Sequence, residues 1–245
     1  MSNALLAELG AEDRMALMAV GQKRAFLRGQ LIGAAGGPIT AVLFVESGSV
    51  GATVPMKDGE ALEVFSIGDE AVTGGWGGQT HGAYRLVTKA DVTGLAVDIR
   101  SLAAIVERRS AVRSVLLDYG VRLSVELAQN SVCNLSHRTD ERLAKWLLRQ
   151  HDRLGAAPVQ ETVAGIAQIL GVQRKAARGA FDAFREAGAI ETARASLTIC
   201  NRAVLEARVC ECYDSSRSVR DIRMAAAVEC RQGAAGGERR MSGMA

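Results

Sequence analysis

Apolar and polar positions change their rhythm along the chain. Residues 4–20 place apolar side chains at the three- and four-residue steps of a short amphipathic helix. From about residue 23 to 98 the rhythm is that of strands. Residues 41–45, 50–54, 62–65, 84–88 and 93–97 are short β-type runs, divided by turns such as Ser47-Gly48-Ser49 and Lys57-Asp58-Gly59. Gly74-Gly75-Trp76-Gly77-Gly78 reads as a loop inside this region. Many short strands between turn signals predict a small antiparallel barrel or sandwich.

After residue 101 the period becomes helical. A short helix over 101–107 leads to a long one over 111–135, with Val112, Val115 or Leu116, Tyr119, Leu123 and Leu127 as its apolar stripe. Such a stripe on a helix between two domains buries itself in its own chain or against its own copy. The dimer is the reading adopted, and Asn130, further along the stripe, would fix its register. Polar residues 134–139 form a hinge. A further helix spans 140–154, and Gly155-Ala156-Ala157-Pro158 marks a boundary.

The richest segment follows. Residues 166–178 read as a helix, a tight turn at Gly171 and a second helix opening with Arg174 and Lys175. Ala167 is small where two helices would touch, and a positive φ is cheapest at Gly171. Ile166, Leu170, Val172, Ala177 and Phe181 form the expected internal core. Gln173, Arg174, Lys175, Arg178 and Asp182 are left pointing outward. This is a helix-turn-helix, whose second helix enters the DNA major groove. Arg reads guanine bidentately, Gln reads adenine, and Lys serves guanine or phosphate. Residues 189–191 and 197–199 look like a two-stranded wing, and Arg194 at its tip would meet a phosphate. A last helix is expected over 202–213.

This order of elements resembles the Crp/Fnr family of bacterial transcription regulators, over about residues 15–213. Residues 166–190 carry the resemblance best, with Arg185-Glu186-Ala187-Gly188-Ala189-Ile190 as the exit from the recognition helix. Leu43-Phe44-Val45-Glu46-Ser47-Gly48-Ser49-Val50 looks like the family's first barrel hairpin. The resemblance implies an α+β fold: a cyclic-nucleotide-binding-like β-barrel (1–100), a dimerisation helix and hinge (101–138), and a winged helix-turn-helix (139–213). Residues 214–245, rich in Arg, Ala, Gly and Met, are expected to be a disordered tail. The implied partners are double-stranded DNA, a second copy of the chain and RNA polymerase.

The departures from the family are specific. Lys175 stands where its best-known recognition helix has Glu, and Gly179 where that helix has a second Arg, so the half-site should differ. A cyclic-nucleotide pocket needs a Glu for the ribose and an Arg for the phosphate. The corresponding stretch offers Glu70 early, Gly74-Gly75 where Gly-Glu belongs, and Arg85 about one residue off. Glu70, Gly74, Gly75 and Arg85 are therefore a degenerate effector pocket, and regulation without cyclic nucleotide is expected.

Charge and composition refine this picture. Residues 1–100 carry 8 Lys/Arg against 11 Asp/Glu, and 101–157 carry 9 against 6, so the polyanion-binding face belongs to the back half. No apolar run spans a bilayer, and the first residues lack a secretory signal, so a cytoplasmic location without membrane contact is expected. The five cysteines, Cys133, Cys200, Cys210, Cys212 and Cys230, are odd in number and irregularly spaced, which argues against a disulfide scaffold. No Cys precedes Cys133, against an iron–sulfur sensor, and His81 alone in the barrel region argues against haem. Cys210 and Cys212, with Cys200 or Cys230 helping, would bind metal or form a redox pair. Two thiols alone make a poor clamp, so no metal or other cofactor is expected. No phosphate loop, His-Glu-x-x-His or nucleophile elbow is present, so no catalytic residue is assigned. The alternative reading is a small-ligand-binding or thiol-redox sensor module with weak or absent DNA binding.

Overall fold

The computed structural model describes residues 3–57, 61–74, 78–193 and 195–214. Met1–Cys210 form one compact unit, and Glu211–Ala245 are a second. The expected tail lies outside the described residues except for Asp214. The first unit begins with α1 (Ala4–Glu8) and α2 (Ala11–Val20), then β1 (Gly21–Phe26), β2 (Leu31–Gly33), β3 (Ala41–Ser47), β4 (Val50–Pro55), β5 (Ala61–Ile67), β6 (Arg85–Thr88) and β7 (Val92–Asp98). Next come α3 (Ile99–Arg108), α4 (Ser110–Ser136), α5 (Thr139–Leu154), α6 (Val163–Leu170) and α7 (Arg174–Glu186). The hairpin β8 (Ile190–Thr192) and β9 (Leu197–Ile199) precedes α8 (Arg202–Glu206).

The N-terminal strands form two antiparallel sheets, ordered β1-β7-β3 and β2-β6-β4-β5. Their buried side chains, among them Phe44, Val45, Val50, Ile67, Val92 and Val97, share one core with Leu5, Leu17 and Leu102 of the flanking helices. The fold is thus the α+β arrangement expected: antiparallel sheets, a long helix, then helix-turn-helix elements. The single helix read over 4–20 is two, parted at Leu9-Gly10. Asn3 caps the first. Its Oδ1 accepts the Leu6 N–H at 3.2 Å, while its Nδ2 donates to Val45 O and Ala71 O at 2.7 Å each. The β3–β4 turn requires glycine: Gly48 has φ +85°, and a Cβ there would lie 2.1 Å from Asp91 O.

The stripe read as a dimer seam lies on the side of α4 that packs on the sheets within the chain. Val112, Leu116 and Tyr119 are buried, and Leu123 and Leu127 pack half-buried on the same core. The Tyr119 hydroxyl donates to Val72 O at 3.1 Å, and burial pushes its pKa up. Asn130 is also engaged internally: its Oδ1 accepts Lys145 Nζ at 2.8 Å. A second apolar row, Leu117, Val121, Val125, Val132 and Leu135, follows three- to four-residue steps with Ala128 on the other side of α4 and is exposed.

Candidate nucleic-acid interface

The helix-turn-helix is built from α6 and α7. Thr162 caps α6, its Oγ1 accepting the Gly165 N–H at 3.0 Å. The helix stops at Gly171, whose left-handed φ of 61° and ψ of 41° turn the chain. The Val172 N–H then bonds back to Ala167 O at 3.0 Å. The Arg142 guanidinium on α5 donates to Leu170 O, placing a cation at the negative end of the helix. Ile166, Ala167, Leu170, Ala177, Phe181 and Phe184 are the buried contact of the two helices and their support. Val172, read as core, is half-buried.

Gln173, Arg174, Lys175 and Arg178 are exposed on the opposite side of the start of α7. No acidic residue lies in its first turn, and its N-cap Gln173 makes no side-chain cap bond. The helix N-terminus and three cations therefore add with the same sign, an arrangement suited to an anion. Asp182, one turn beyond Arg178, is half-buried and pairs with Arg185 at 3.0 Å. The exit is closed by Gly188 at φ +67°, with Ala189 N bonded to Phe184 O at 2.9 Å. The wing is β8 and β9, extended by a bridge between Val159 and Leu197. Arg194 at its tip lies outside the described residues.

One face of α5 docks this domain on the rest of the unit. Arg142, Lys145, Arg149 and Arg153 follow at steps of three, four and four residues, so they share a side of the helix. Lys145 reaches Asn130, Arg149 pairs with Glu126, and Arg153 donates to Glu70 at 2.5 Å and to Ser66 O at 3.1 Å. Burial of Arg153 opposes its charge, but Glu70 beside it holds its pKa above the usual guanidinium value. Burial and the neighbouring Glu70 raise the pKa of Asp69.

These contacts also place the expected effector residues. Glu70 faces α5 and Arg85 is exposed on β6; neither lines the barrel cavity. Gly74 is at the cavity, and Gly75 lies outside the described residues. The cavity measures about 330 Å³ and is lined by side chains such as Ile32, Phe65, Tyr84, Leu86, Tyr119 and Leu123. None of its described lining residues is Asp, Glu, Lys or Arg, and His81 is the one imidazole among them.

A second cluster was not legible as a unit. Cys133, near the end of α4, and His137, its C-cap, stand with Cys210, their ligand atoms within 4.8 Å of one another. The sequence reading had Cys210 and Cys212 but sought their helpers in Cys200 and Cys230. Cys200 is exposed, and Cys230 lies outside the described residues. The missed signal is the spacing of Cys133 and His137, four residues apart on one side of a helix end.

The described residues thus set two antiparallel sheets, a long helix and a winged helix-turn-helix with an exposed basic helix start in chain order. Residues 141–208 match the Crp-like helix-turn-helix domain. Three solved structures show the same fold. FixK2 from Bradyrhizobium japonicum is 19% identical with a TM-score of 0.65, over 78% of this chain and 98% of that one. A CRP-family transcriptional regulator from Thermus thermophilus, TTHB099, is 18% identical with a TM-score of 0.63, over 76% and 95%. CLP, a c-di-GMP responsive global regulator of Xanthomonas campestris, is 15% identical with a TM-score of 0.61, over 78% and 100%. No curated protein matches the sequence. Among the described residues no helix is long and apolar enough to cross a membrane.

Proposed function

We propose that the chain is a sequence-specific DNA-binding transcription regulator, acting in the cytoplasm as a homodimer on an inverted repeat and without cyclic nucleotide. The observation that carries this is the exposure of Gln173, Arg174, Lys175 and Arg178 on the N-terminal side of α7, opposite the face that packs on α6. The Crp-like domain over 141–208 supports the same assignment. In this reading Arg174 and Arg178 contact base edges, Lys175 and the wing contact phosphates, and Arg194 is the wing's proposed anchor. Two such helices would enter successive major grooves about 34 Å apart.

The dimer is proposed to form through Leu117, Val121, Val125, Val132 and Leu135, since these are the apolar side chains that α4 leaves exposed. RNA polymerase is the further partner expected of an activator. Independence from cyclic nucleotide rests on the cavity: its described lining offers no guanidinium, ammonium or carboxylate, and Glu70 is engaged by Arg153. A small uncharged, largely apolar molecule fits that lining better, and a sensor for one is compatible with the same reading.

Selection from a random duplex library by the purified protein, with no ligand added, tests the proposal. Enrichment of a two-fold inverted repeat is the expected result. A protein that enriches nothing, alone or with cyclic nucleotides, would refute it. On the selected site, Arg174→Ala and Arg178→Ala should each lose about 1–3 kcal/mol of discrimination against the changed base pair. Competition against single-base variants measures this. Equal weakening on all sequences would make that residue a phosphate anchor. Binding should also fall steeply with salt, as phosphate contacts release counterions.

A further inference from the structure

The thiols of Cys133 and Cys210 are buried, and their Sγ atoms lie 3.7 Å apart. That is far beyond the roughly 2.05 Å of a disulfide. It is close to another length. Thiolates bound to one zinc ion at about 2.3 Å in tetrahedral geometry stand about 3.8 Å from each other. His137 joins them within 4.8 Å. Its backbone N–H bonds to Cys133 O at 3.1 Å, so the helix end itself holds the imidazole beside the first thiol.

We propose that Cys133, His137 and Cys210 bind a zinc ion. Two soft sulfur donors and one imidazole are a ligand set that zinc takes, and its tetrahedral geometry leaves one position for a further donor. On binding, each of the two thiols gives its proton to solvent and His137 ligates through an unprotonated nitrogen. The dication and two thiolates then balance in charge. The Cys133–Cys210 link spans 77 residues of sequence. It thus fastens the end of α4, where the hinge begins, to the chain that follows α8, and brackets the entire winged domain. The site does not depend on the chain binding DNA.

The test uses the full chain, purified under reducing conditions. Elemental analysis should find about one zinc per chain, lost on treatment with a strong chelator together with a fall in Tm. Titration of the reduced, metal-free chain with Co(II) should give thiolate-to-cobalt charge transfer and tetrahedral ligand-field bands that saturate at about one equivalent. Cys133→Ser and Cys210→Ser should lose the charge-transfer band, whereas Cys200→Ser, at an exposed thiol, should keep it. If the serine variants do not fold, the Co(II) titration of the unmodified chain decides. A reduced, folded chain that takes up neither metal would overturn the proposal. So would thiol titration and mass mapping that found Cys133 and Cys210 joined as a disulfide in the isolated protein.

Discussion

Val121→Glu with Val125→Glu is expected to give a folded monomer that no longer binds an inverted repeat. Both side chains are exposed, at 64% and 47% of their full area, so the charges meet water in the single chain and cost it little. In a dimer built on this row, four carboxylates would face each other across an apolar seam. Like charges brought out of water in that way cost several kcal/mol. Analytical ultracentrifugation reads the mass, and circular dichroism reads the fold. Leu116→Ala, on the other stripe of the same helix, should behave oppositely. It should lower stability by about 2–5 kcal/mol through the cavity it leaves, with the surviving folded protein still dimeric. If Leu116→Ala dissociated the dimer while Val121→Glu with Val125→Glu did not, the seam assigned here would be wrong.

Arg153→Met is expected to lower stability by about 3–5 kcal/mol at neutral pH, the usual cost of removing one partner from a buried ion pair. The Arg153 and Glu70 side chains are only 6% and 19% exposed, and Asp69 lies beside them with its pKa already raised by burial and by Glu70. Without the guanidinium, two carboxylates share a poorly hydrated site. A carboxyl whose folded pKa lies above its unfolded value favours folding below the unfolded pKa, and that contribution is lost as pH rises through the folded one. The defect of Arg153→Met should therefore shrink as pH falls toward the carboxylate range. Denaturant titrations of both proteins across pH 4–7.5 would check it, on the order of the window in which carboxyls titrate. A defect that stayed constant over that window would mean that Arg153 acts by packing alone.

The sequence carried some parts of this molecule openly and others not at all. The strands β3, β4, β5 and β7 were visible because apolar runs sit between turn residues. The strand β1 was missed because Gln22, Lys23, Arg24 and Ala25 are all exposed, so it has no buried alternation to read. The helix-turn-helix was legible because its geometry rests on local chemistry: a glycine for the left-handed turn, a small residue at the crossing, and cations at one helix start. The choice between the two stripes of α4 was not, because both are apolar and only the position of the sheets tells which is covered. The pairing of Glu70 with Arg153 and the gathering of Cys133, His137 and Cys210 join residues separated by 83 and 77 positions. Periodicity does not reach so far, and a motif scan that looks for near neighbours passes over them.

The face of α5 that holds Arg142, Lys145, Arg149 and Arg153 has a consequence for the DNA. The bonds of Lys145 and Arg149 to α4, and of Arg153 to Glu70 and Ser66, leave the winged domain little freedom to swing in this conformation, and α4 carries the proposed seam. In the proposed dimer the distance and angle between the two reading helices are then set by the protein. A duplex turns once in 10–10.5 base pairs, so one added pair between half-sites rotates the second by about 35°. Operators for this conformation should tolerate almost no change in spacer length, and a spacer series bound by Arg153→Met should tolerate more.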